Sequence, residues 1–356
     1  MSILDRVNVI RRRLMHRITK NIGTSHLPKN VDLNANIEIE KVLICRPNHR
    51  LGNLLLLTPL VQEVIARFPN CKIDLVVQGG LAPIIFQNYE NVERIIMLPK
   101  KPFKNLLDYI KGIISIKKRP YDIAINAVKG SSSGKLYTLM ARAKYKVFEV
   151  DDKEIQLKFN DHLHIAKYQV YSFRNYLAKL GFENNNEPIF GINLKLSQVE
   201  IENGIQKLME LVNSKKRTIC LFTHATGDKC YLEEWWLSFY EKLKAEFPNY
   251  NFIEVLPIEN ISKINFKAPS FYSKDIREIC SLIASTVVFI GADSGIMHLS
   301  SASLTPTVGL FSRDNQEAYQ PFGNESVAIN TNFIDTDESI KIVKGILAKT
   351  NISRKE

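Results

Sequence analysis

Short apolar runs alternate with amphipathic stretches along most of this chain. A run such as residues 73–77, IDLVV, is short, β-branched and largely apolar, which is typical of a strand covered on both faces of a parallel sheet. Such runs predict strands near 41–46, 72–78, 94–98, 122–128, 145–150, 218–223, 251–256, 287–291, 307–311 and 326–329. Helical spacing predicts helices near 53–68, 81–88, 103–118, 133–143, 163–180, 197–213, 233–247, 275–285, 295–303 and 337–349. This alternation predicts an α/β fold with parallel sheets.

The alternation is interrupted by a polar stretch, ENNNEP at residues 183–188. A polar stretch that ends in a helix breaker is typical of a linker. The length of 356 residues also exceeds one ordinary hydrophobic core. We therefore predict two Rossmann-like domains, at 36–188 and 189–356, with a last helix that could pack back on the first domain.

The first 35 residues form a segment of different character. Apolar residues recur at helical spacing between Ile3 and Ile18, and six arginines and lysines fill much of the rest of 3–20. This pattern predicts a basic amphipathic helix that lies on an anionic membrane surface. The alternative is a helix that packs on the body of the protein and keeps its basic face in water.

The charge of the chain narrows the class of partner. The net charge is +11, with a pI near 9.2, which favours a polyanion: nucleic acid, an anionic membrane or a phosphorylated substrate. No nucleic-acid recognition motif accompanies the charge, so we do not expect a nucleic-acid partner. The chain lacks an apolar run of about 18 residues and a secretory signal, and its five cysteines form no CxxC pair. These features predict a cytoplasmic protein with reduced thiols.

The sharpest motif lies at residues 287–311, VVFIGADSGIMHLSSASLTPTVGLF. A buried strand runs into Asp293 and Ser294, which are favoured N-cap residues, and Gly295 lets a ligand approach the backbone. A helix begins there, and its free N–H groups and dipole favour a phosphate. His298 lies about one turn in and could face the same point. The alternative is an ordinary capped helix with a histidine in the core.

A second strand, loop and helix occupies residues 221–236, LFTHATGDKCYLEEWW. Thr223, Thr226, Gly227 and Lys229 lie at the carboxyl end of the predicted strand. Hydroxyl groups beside a lysine suit a second phosphate-binding loop. The alternative is an exposed turn with an incidental lysine.

A third junction, ICRPNHRLGNLLLLT at residues 44–58, carries four polar side chains above a buried strand. Arg46 and Arg50 suit an acceptor phosphate or carboxylate, because a guanidinium pairs with either group in bidentate fashion. His49 lies between the two arginines in the sequence, and Asn53 follows Arg50 by three residues. A loop of this composition is a binding or catalytic site more often than a simple connection.

Several other sites are excluded by spacing. The stretch GSSSGK at 130–135 has three residues between its glycines, where a P-loop has four, and Leu136 follows where a P-loop has Ser or Thr. The chain has no GxGxxG after its first strand and no His and Cys spacing suited to zinc. We therefore expect no metal and no cofactor.

These three motifs, taken in order, resemble the ADP-heptose:lipopolysaccharide heptosyltransferases, glycosyltransferase family 9. The resemblance covers roughly residues 40 to 330. It implies the GT-B architecture, in which two Rossmann-like domains face each other across a cleft. The amino-terminal domain would hold the acceptor and the carboxyl-terminal domain the nucleotide-sugar. It also implies an inverting reaction that requires no metal.

The resemblance assigns roles residue by residue. Asp293 would contact the donor sugar, and Ser294, Gly295 and His298 would hold the diphosphate. Lys229, with Thr226 nearby, would neutralise the charge that builds on the leaving ADP.

One catalytic position departs from the family. The residue after the glycine of the first motif is an aspartate in the family, assigned as the general base, and it is Asn53 here. An amide cannot act as a base at neutral pH. Three hypotheses remain: His49 is the base, since an imidazole titrates near about pH 6.5; the protein binds without catalysing; or a carboxylate from elsewhere serves, namely Asp151, Asp152 or Asp161.

The sequence thus predicts a glycosyltransferase on the inner face of the inner membrane. It would move a sugar, heptose from ADP-heptose, onto a lipopolysaccharide core or related glycan. The alternatives are a nucleotide-sugar epimerase of the same architecture and a catalytically impaired protein that binds a sugar nucleotide or a glycan.

Overall fold

The computed structural model describes residues 37–100, 105–128, 130–148, 153–213 and 215–352. Packing divides the chain into two compact units. Unit 1 comprises the described residues up to His49 together with Pro59–Ile189, and unit 2 comprises Arg50–Thr58 together with the chain from Phe190. The basic helix predicted at 3–20 lies outside the described residues, as do Asp151 and Asp152.

Each unit is built on one sheet. The strands of the described chain are β1 (Lys41–Cys45), β2 (Lys72–Gln78), β3 (Val92–Leu98), β4 (Pro120–Asn126), β5 (Arg142–Val147), β6 (Thr218–Phe222), β7 (Asn251–Val255), β8 (Ser270–Phe271), β9 (Val288–Ala292), β10 (Thr307–Phe311) and β11 (Val327–Asn330). The order is β3-β2-β1-β4-β5 in unit 1 and β11-β10-β9-β6-β7-β8 in unit 2. The pairings are parallel, which confirms the predicted fold class.

In each sheet the chain first adds strands on one side of the first strand and then switches to its other side. In unit 1 the chain adds β2 and β3 on one side of β1 and then places β4 on its other side, and in unit 2 β9 lies beside β6 in the same way. The loops that leave the carboxyl ends of such a strand pair diverge, and this switch point is the usual ligand site of an open parallel sheet. The β6 and β9 loops are those of the second and third sequence motifs.

Helices flank both sheets. They are α1 (Leu51–Leu55), α2 (Thr58–Arg67), α3 (Ala82–Ile85), α4 (Leu106–Lys118), α5 (Ser132–Met140), α6 (Lys153–Lys158), α7 (Ile165–Lys179), α8 (Gln198–Leu211), α9 (Glu233–Glu246), α10 (Ile276–Ala284), α11 (Gly295–Ala302), α12 (Gln316–Tyr319) and α13 (Thr336–Ile352). A 3-10 turn, Gly227–Lys229, follows β6. The sequence patterns missed α6, β8 and α12, because elements of six, two and four residues are too short to show a period.

The single helix predicted at 53–68 is two helices, α1 and α2. Pro59 has no N–H to donate to the carbonyl of Leu55, four residues earlier. The hydroxyl of Thr58 donates to that carbonyl instead, at 2.8 Å. The helical ladder therefore breaks between α1 and α2, and α1 is grouped by its packing with unit 2.

Buried strands give the site loops a firm base. Every residue of β6, β9 and β10 is buried. In the core of unit 2, Trp236 of α9 is fully buried and packs against the ring of Phe239, with centroids 6.1 Å apart. Burying such a side chain contributes about 1.5–3 kcal/mol, so the strand ends that carry the candidate site are held by a large apolar core.

An ion pair ties α8 to α10 in unit 2. Ser197 and Glu200 form a capping box at the start of α8. Arg277, which is 4% exposed, donates to the Glu200 carboxylate through Nε at 2.5 Å and Nη2 at 2.9 Å. These hydrogen bonds lower the pKa of Glu200 to about 2. The carboxylate is therefore charged at neutral pH and well into the acid range.

Candidate functional site

The loops after β6 and β9 bring a cation and a carboxylate together. Lys229 lies in the 3-10 turn after β6, and Asp293 directly follows β9. Lys229 Nζ lies 2.7 Å from Asp293 Oδ2, and the two side chains are 28% and 6% exposed. Two residues proposed from separate motifs are thus in direct contact at the switch point of the sheet.

Asn315 contacts the same carboxylate. Its Nδ2 donates to Asp293 Oδ2 at 2.9 Å. Asp293 is therefore held in one orientation by an ammonium and an amide. A lysine ammonium has three N–H donors, so Lys229 can keep this pair and still donate to a second anion.

The first turn of α11 supplies backbone donors beside this pair. Ser294 caps the helix, with its side chain accepting from the N–H of Met297 at 3.2 Å. The first N–H groups of a helix have no hydrogen-bond acceptor within the helix, and they lie at the positive end of the helix dipole. His298 is buried, with its ring centroid 6.4 Å from that of Tyr319. The predicted residues Ser294, Gly295 and His298 therefore lie at the start of α11, directly after Asp293 of the Lys229–Asp293 pair.

The start of α1 packs directly on this turn. A β-carbon built on Gly52 would lie 2.7 Å from Cδ2 of His298, and one built on Gly295 would lie 3.3 Å from the β-carbon of Leu51. Real β-carbons do not approach other atoms as closely as the first distance, so a side chain at position 52 would force the His298 ring or the helix backbone to shift. The half-buried Asn53 follows on the same short helix.

Thr223 has a structural contact in this fold. It is 1% exposed, and its hydroxyl donates to Glu254 Oε1 at 2.6 Å. Ser262 donates to the other oxygen at 2.6 Å, and the backbone N–H of Lys263 donates to the Thr223 hydroxyl at 3.1 Å. Burial raises the pKa of Glu254. Thr223 therefore fastens the β6 loop to the end of β7, and we omit it from the proposed donor contacts.

Thr226 and Lys229 mark the outer part of the same loop. Thr226 is exposed and precedes the 3-10 turn. Gly227 has φ of +67°, in the left-handed region that favours glycine. The turn carries Lys229 back toward the sheet, and the exposed hydroxyl of Thr226 remains a predicted donor contact.

The loop after β10 adds two residues that the sequence patterns missed. Arg313 forms an ion pair with Asp228 of the β6 loop, and Arg313 is 44% exposed. Asn315 is the amide partner of Asp293 described above. Both residues follow a buried strand, β10, that is the neighbour of β9. Inspection of every loop at the carboxyl ends of the strands would have found them.

Arg46, at the switch point of unit 1, is buried at 2% exposure. Its guanidinium donates to the carbonyl of Ala127 at 2.6 Å, and its backbone N–H donates to the carbonyl of Val76 at 2.8 Å. The side chain thus fastens the end of β1 to the end of β4. We correct the prediction that Arg46 binds an acceptor, because a buried guanidinium on a carbonyl is a structural contact.

His49 and Arg50 are exposed. His49 lies over the turn that follows β2, where a β-carbon on Gly79 would lie 3.1 Å from that of His49. Gly79 has φ of +73°, so this turn depends on glycine for its backbone as well as for space. The exposed imidazole lies on the surface of unit 1, and its role as base remains a prediction.

Asp161, one of the alternative bases, is already engaged. It accepts from Lys167 Nζ and from the hydroxyl of Tyr171, each at 2.8 Å. Burial opposes its ionisation, but these hydrogen bonds prevail and lower the pKa of Asp161. A carboxylate with a lowered pKa is a weaker base, so Asp161 is a poor candidate for that role.

Among the described residues, no group of three or more His, Cys, Asp or Glu side chains is placed to hold a metal ion. Over the same part of the chain, no helix is both long enough and apolar enough to cross a membrane.

Comparison with known proteins shows which family this site resembles. Residues 273–343, which contain Asp293 and His298, match the profile of glycosyltransferase family 9 (heptosyltransferase). No curated protein matches the sequence. A solved family 9 glycosyltransferase from Veillonella parvula DSM 2008 has a TM-score of 0.70 at 14% identity, over 89% of this chain and all of that chain.

Two E. coli structures are also similar. ADP-heptose lps heptosyltransferase II has a TM-score of 0.63 at 16% identity, and heptosyltransferase WaaC with ADP has 0.62 at 15%. Each comparison covers 87% of this chain and 99% of the other. At these identities the likeness establishes the fold, which is that of GT-B glycosyltransferases. The profile match adds that residues 273–343, which include the third sequence motif, are similar to glycosyltransferase family 9.

Proposed function

We propose that this glycosyltransferase moves heptose from ADP-heptose onto a lipopolysaccharide core or a related glycan, by an inverting reaction that needs no metal. The observation that carries the proposal is the contact between Lys229 and Asp293 beside the first turn of α11. A cation, a fixed carboxylate and a helix N-terminus at one switch point suit a sugar diphosphate.

Some groups of unit 2 are proposed to bind the diphosphate of the donor, and another is proposed to bind its sugar. The diphosphate accepts hydrogen bonds from Lys229, from the first N–H groups of α11 and from His298. Asp293, when ionised, only accepts hydrogen bonds, and its position suits a sugar hydroxyl. Thr226 and Arg313 offer a further hydroxyl and guanidinium from neighbouring loops. Charge that develops on the departing ADP is stabilised because these donors are already in place.

The transfer step needs a base. The acceptor hydroxyl oxygen attacks the anomeric carbon opposite the ADP, the bond from that carbon to the phosphate oxygen breaks, and the configuration inverts. The hydroxyl proton must leave to a base. Asn53 cannot take it, so we propose that His49 does, and that Arg50 pairs with an anionic group of the acceptor.

The choice of ADP-heptose is supported by proteins of similar fold. The two E. coli structures are heptosyltransferases, and one of them contains ADP. The net charge of +11 supports an acceptor at an anionic membrane. We propose that the protein works at the inner face of the inner membrane, with residues 3–20 as an interfacial helix.

Calorimetric binding of ADP, UDP, GDP and ADP-heptose tests the donor. We expect ADP and ADP-heptose to bind, and Lys229→Ala to weaken both by about tenfold or more, because a charge-assisted hydrogen bond to phosphate is lost. Lys267→Ala is the matched control, since Lys267 forms an ion pair of equal length, 2.7 Å, with Glu241 in the same unit. A preference for UDP or GDP would reassign the donor, and failure to bind any nucleotide would overturn the proposal.

Asn53 favours a second candidate, a protein that binds the donor without transferring the sugar. Release of ADP in the presence of a truncated lipopolysaccharide acceptor distinguishes the two. Donor binding without acceptor-dependent ADP release would favour the binding protein. Conversion of the sugar without an acceptor would instead indicate an epimerase.

A further inference from the structure

Helix α4 of unit 1 exposes a row of large apolar side chains. Leu106, Leu107, Ile110 and Ile114 are 54%, 75%, 45% and 56% exposed. At about 100° per residue these positions fall within an arc of about 100° on one face of the helix. We name this row the α4 stripe. A contiguous apolar row of this kind on a surface helix marks an interaction site more often than scattered single residues do.

The opposite face of α4 is fixed against the sheet. A β-carbon on Gly112 would lie 2.3 Å from Cδ2 of Leu98, so the helix backbone rests directly on β3. Ile116 is fully buried, and Tyr109 and Ile113 pack on the same core. The helix cannot rotate to bury the α4 stripe without losing these contacts, so among the described residues the stripe stays on the surface of unit 1.

Positive charge borders the stripe. The helix carries three exposed lysines, Lys111, Lys117 and Lys118, against one exposed acid, Asp108. Lys111 also lines a cavity of about 660 Å³ between β3 and α4, together with Lys100, Arg94 and Asp108. Apolar side chains flanked by lysines are the pattern of a helix that lies in the interface of an anionic membrane, since lysine stems extend their ammonium groups toward the phosphates.

We propose that the α4 stripe is a membrane-binding surface, which lies in the plane of an anionic lipid bilayer with its four apolar side chains among the acyl chains. This is a contact separate from the basic helix predicted at 3–20. It rests on the surface of α4 alone, and it holds whichever sugar the enzyme transfers.

Charge and area favour a lipid bilayer over two other candidate partners of the α4 stripe, a second copy of the chain and residues 1–20. Two copies joined at this stripe would bring their lysines together, and four partly exposed side chains offer less area than the about 800 Å² that a standard protein interface buries on each side. Residues 1–20 carry six arginines and lysines against Asp5, so that segment has the same sign of charge as α4. An anionic bilayer complements both the apolar and the basic part of the surface.

Vesicle flotation of the full chain tests this proposal. We expect binding to vesicles of 70:30 phosphatidylcholine and phosphatidylglycerol, and about tenfold weaker binding for Leu107→Glu with Ile114→Glu, because apolar burial is lost. Leu157→Glu is the control, since Leu157 is 87% exposed on α6 of the same unit and lies outside the stripe. Replacement of Lys117 and Lys118 by Gln should weaken binding to these vesicles by about fivefold per lysine and leave binding to pure phosphatidylcholine unchanged.

Several results would overturn the proposal. They are the absence of binding by the wild-type chain, equal binding by the wild type and the folded double variant, and equal losses in the control. Light scattering of wild type and double variant identifies a competing occupant: a dimer that the two glutamates dissociate would assign the stripe to a second copy. Circular dichroism confirms that the variants are folded. A donor affinity that stays unchanged in these variants separates this result from the proposed function.

Discussion

The backbone of Gly52 lies directly against the imidazole of His298, so closely that a β-carbon at position 52 would stand 2.7 Å from Cδ2 of the ring. The first motif of the sequence thus helps to form the proposed donor site, because α1 packs on the first turn of α11. The glycine that precedes Asn53 is required for this contact. It determines where the ring of His298 lies.

Gly52→Ala should displace His298 and weaken the donor site. The added methyl must move the ring or separate α1 from α11, and overpacking of this kind costs about 1–3 kcal/mol. We expect a lower melting temperature and about tenfold weaker ADP binding. Gly191→Ala is the control, because a β-carbon there meets no atom within 4 Å. Unchanged ADP affinity in Gly52→Ala would show that the position of His298 does not matter to the nucleotide.

Asn315→Ala should separate sugar binding from nucleotide binding. The variant removes the amide that donates to Asp293 Oδ2 at 2.9 Å and leaves the Lys229 pair in place. Because Asp293 is proposed to meet the sugar, ADP-heptose should bind about fivefold more weakly while ADP binds nearly as before. Calorimetry with both ligands measures this.

The control for that experiment is Asn332→Ala. The amide of Asn332 is exposed and donates to the carbonyl of Ser312 at 3.2 Å in the same unit. It should change neither affinity. If Asn315→Ala weakens ADP and ADP-heptose equally, Asp293 belongs to the diphosphate rather than to the sugar.

The strands and long helices could be predicted from the sequence because both faces of each sheet are covered. Buried runs such as β6 and β9 contain no charged residue that would obscure the apolar pattern. The break at Pro59 was harder to see, since proline is tolerated in a first helical turn and the apolar pattern continues through it. Only the hydroxyl of Thr58 on the Leu55 carbonyl shows that a new helix begins there.

The candidate site was predictable where a chemical group and a strand end coincide. Lys229 and Asp293 each follow a buried strand, and the switch point explains why they meet. Arg46 and Thr223 satisfy the same rule, but their partners are the carbonyl of Ala127 and the buried Glu254, each supplied by a neighbouring strand. The position of a residue in the sequence shows how far along a strand its side chain lies. The residue that this side chain contacts depends on the order of the strands in the sheet.

Acid should weaken unit 2 through Glu200. Its folded pKa of about 2 lies below the usual value of 4.5. The unfolded chain therefore binds the proton more tightly, and the stabilising contribution is complete above about pH 4.5 and is lost as the pH falls toward 2. Glu200→Gln should lower the free energy of unfolding at pH 7 by about 3 kcal/mol, because Arg277 is left buried without its anion.

Urea unfolding between pH 7 and pH 3 checks the sign. The wild type and Glu200→Gln should differ most at neutral pH and converge in acid. Glu202→Gln, an exposed position on the same helix, should follow the wild type at every pH. A constant difference between Glu200→Gln and the wild type would mean that the ion pair does not set this pH dependence.

The identity of the base gives the last prediction. If His49 takes the proton from the acceptor, His49→Ala should lower kcat by about 10²- to 10⁴-fold and leave ADP affinity nearly unchanged, since general-base catalysis contributes that much. His162→Ala is the matched imidazole control in unit 1, where His162 Nδ1 lies 2.8 Å from the carbonyl oxygen of Phe159. Asn53→Asp, made in the His49→Ala background, places the family's carboxylate at its usual position and should restore part of the lost turnover. Acceptor-dependent release of ADP measures all three variants. Full turnover in His49→Ala would exclude His49, and a gain from Asn53→Asp in the wild-type background would then indicate that Asn53 leaves this enzyme without an efficient base.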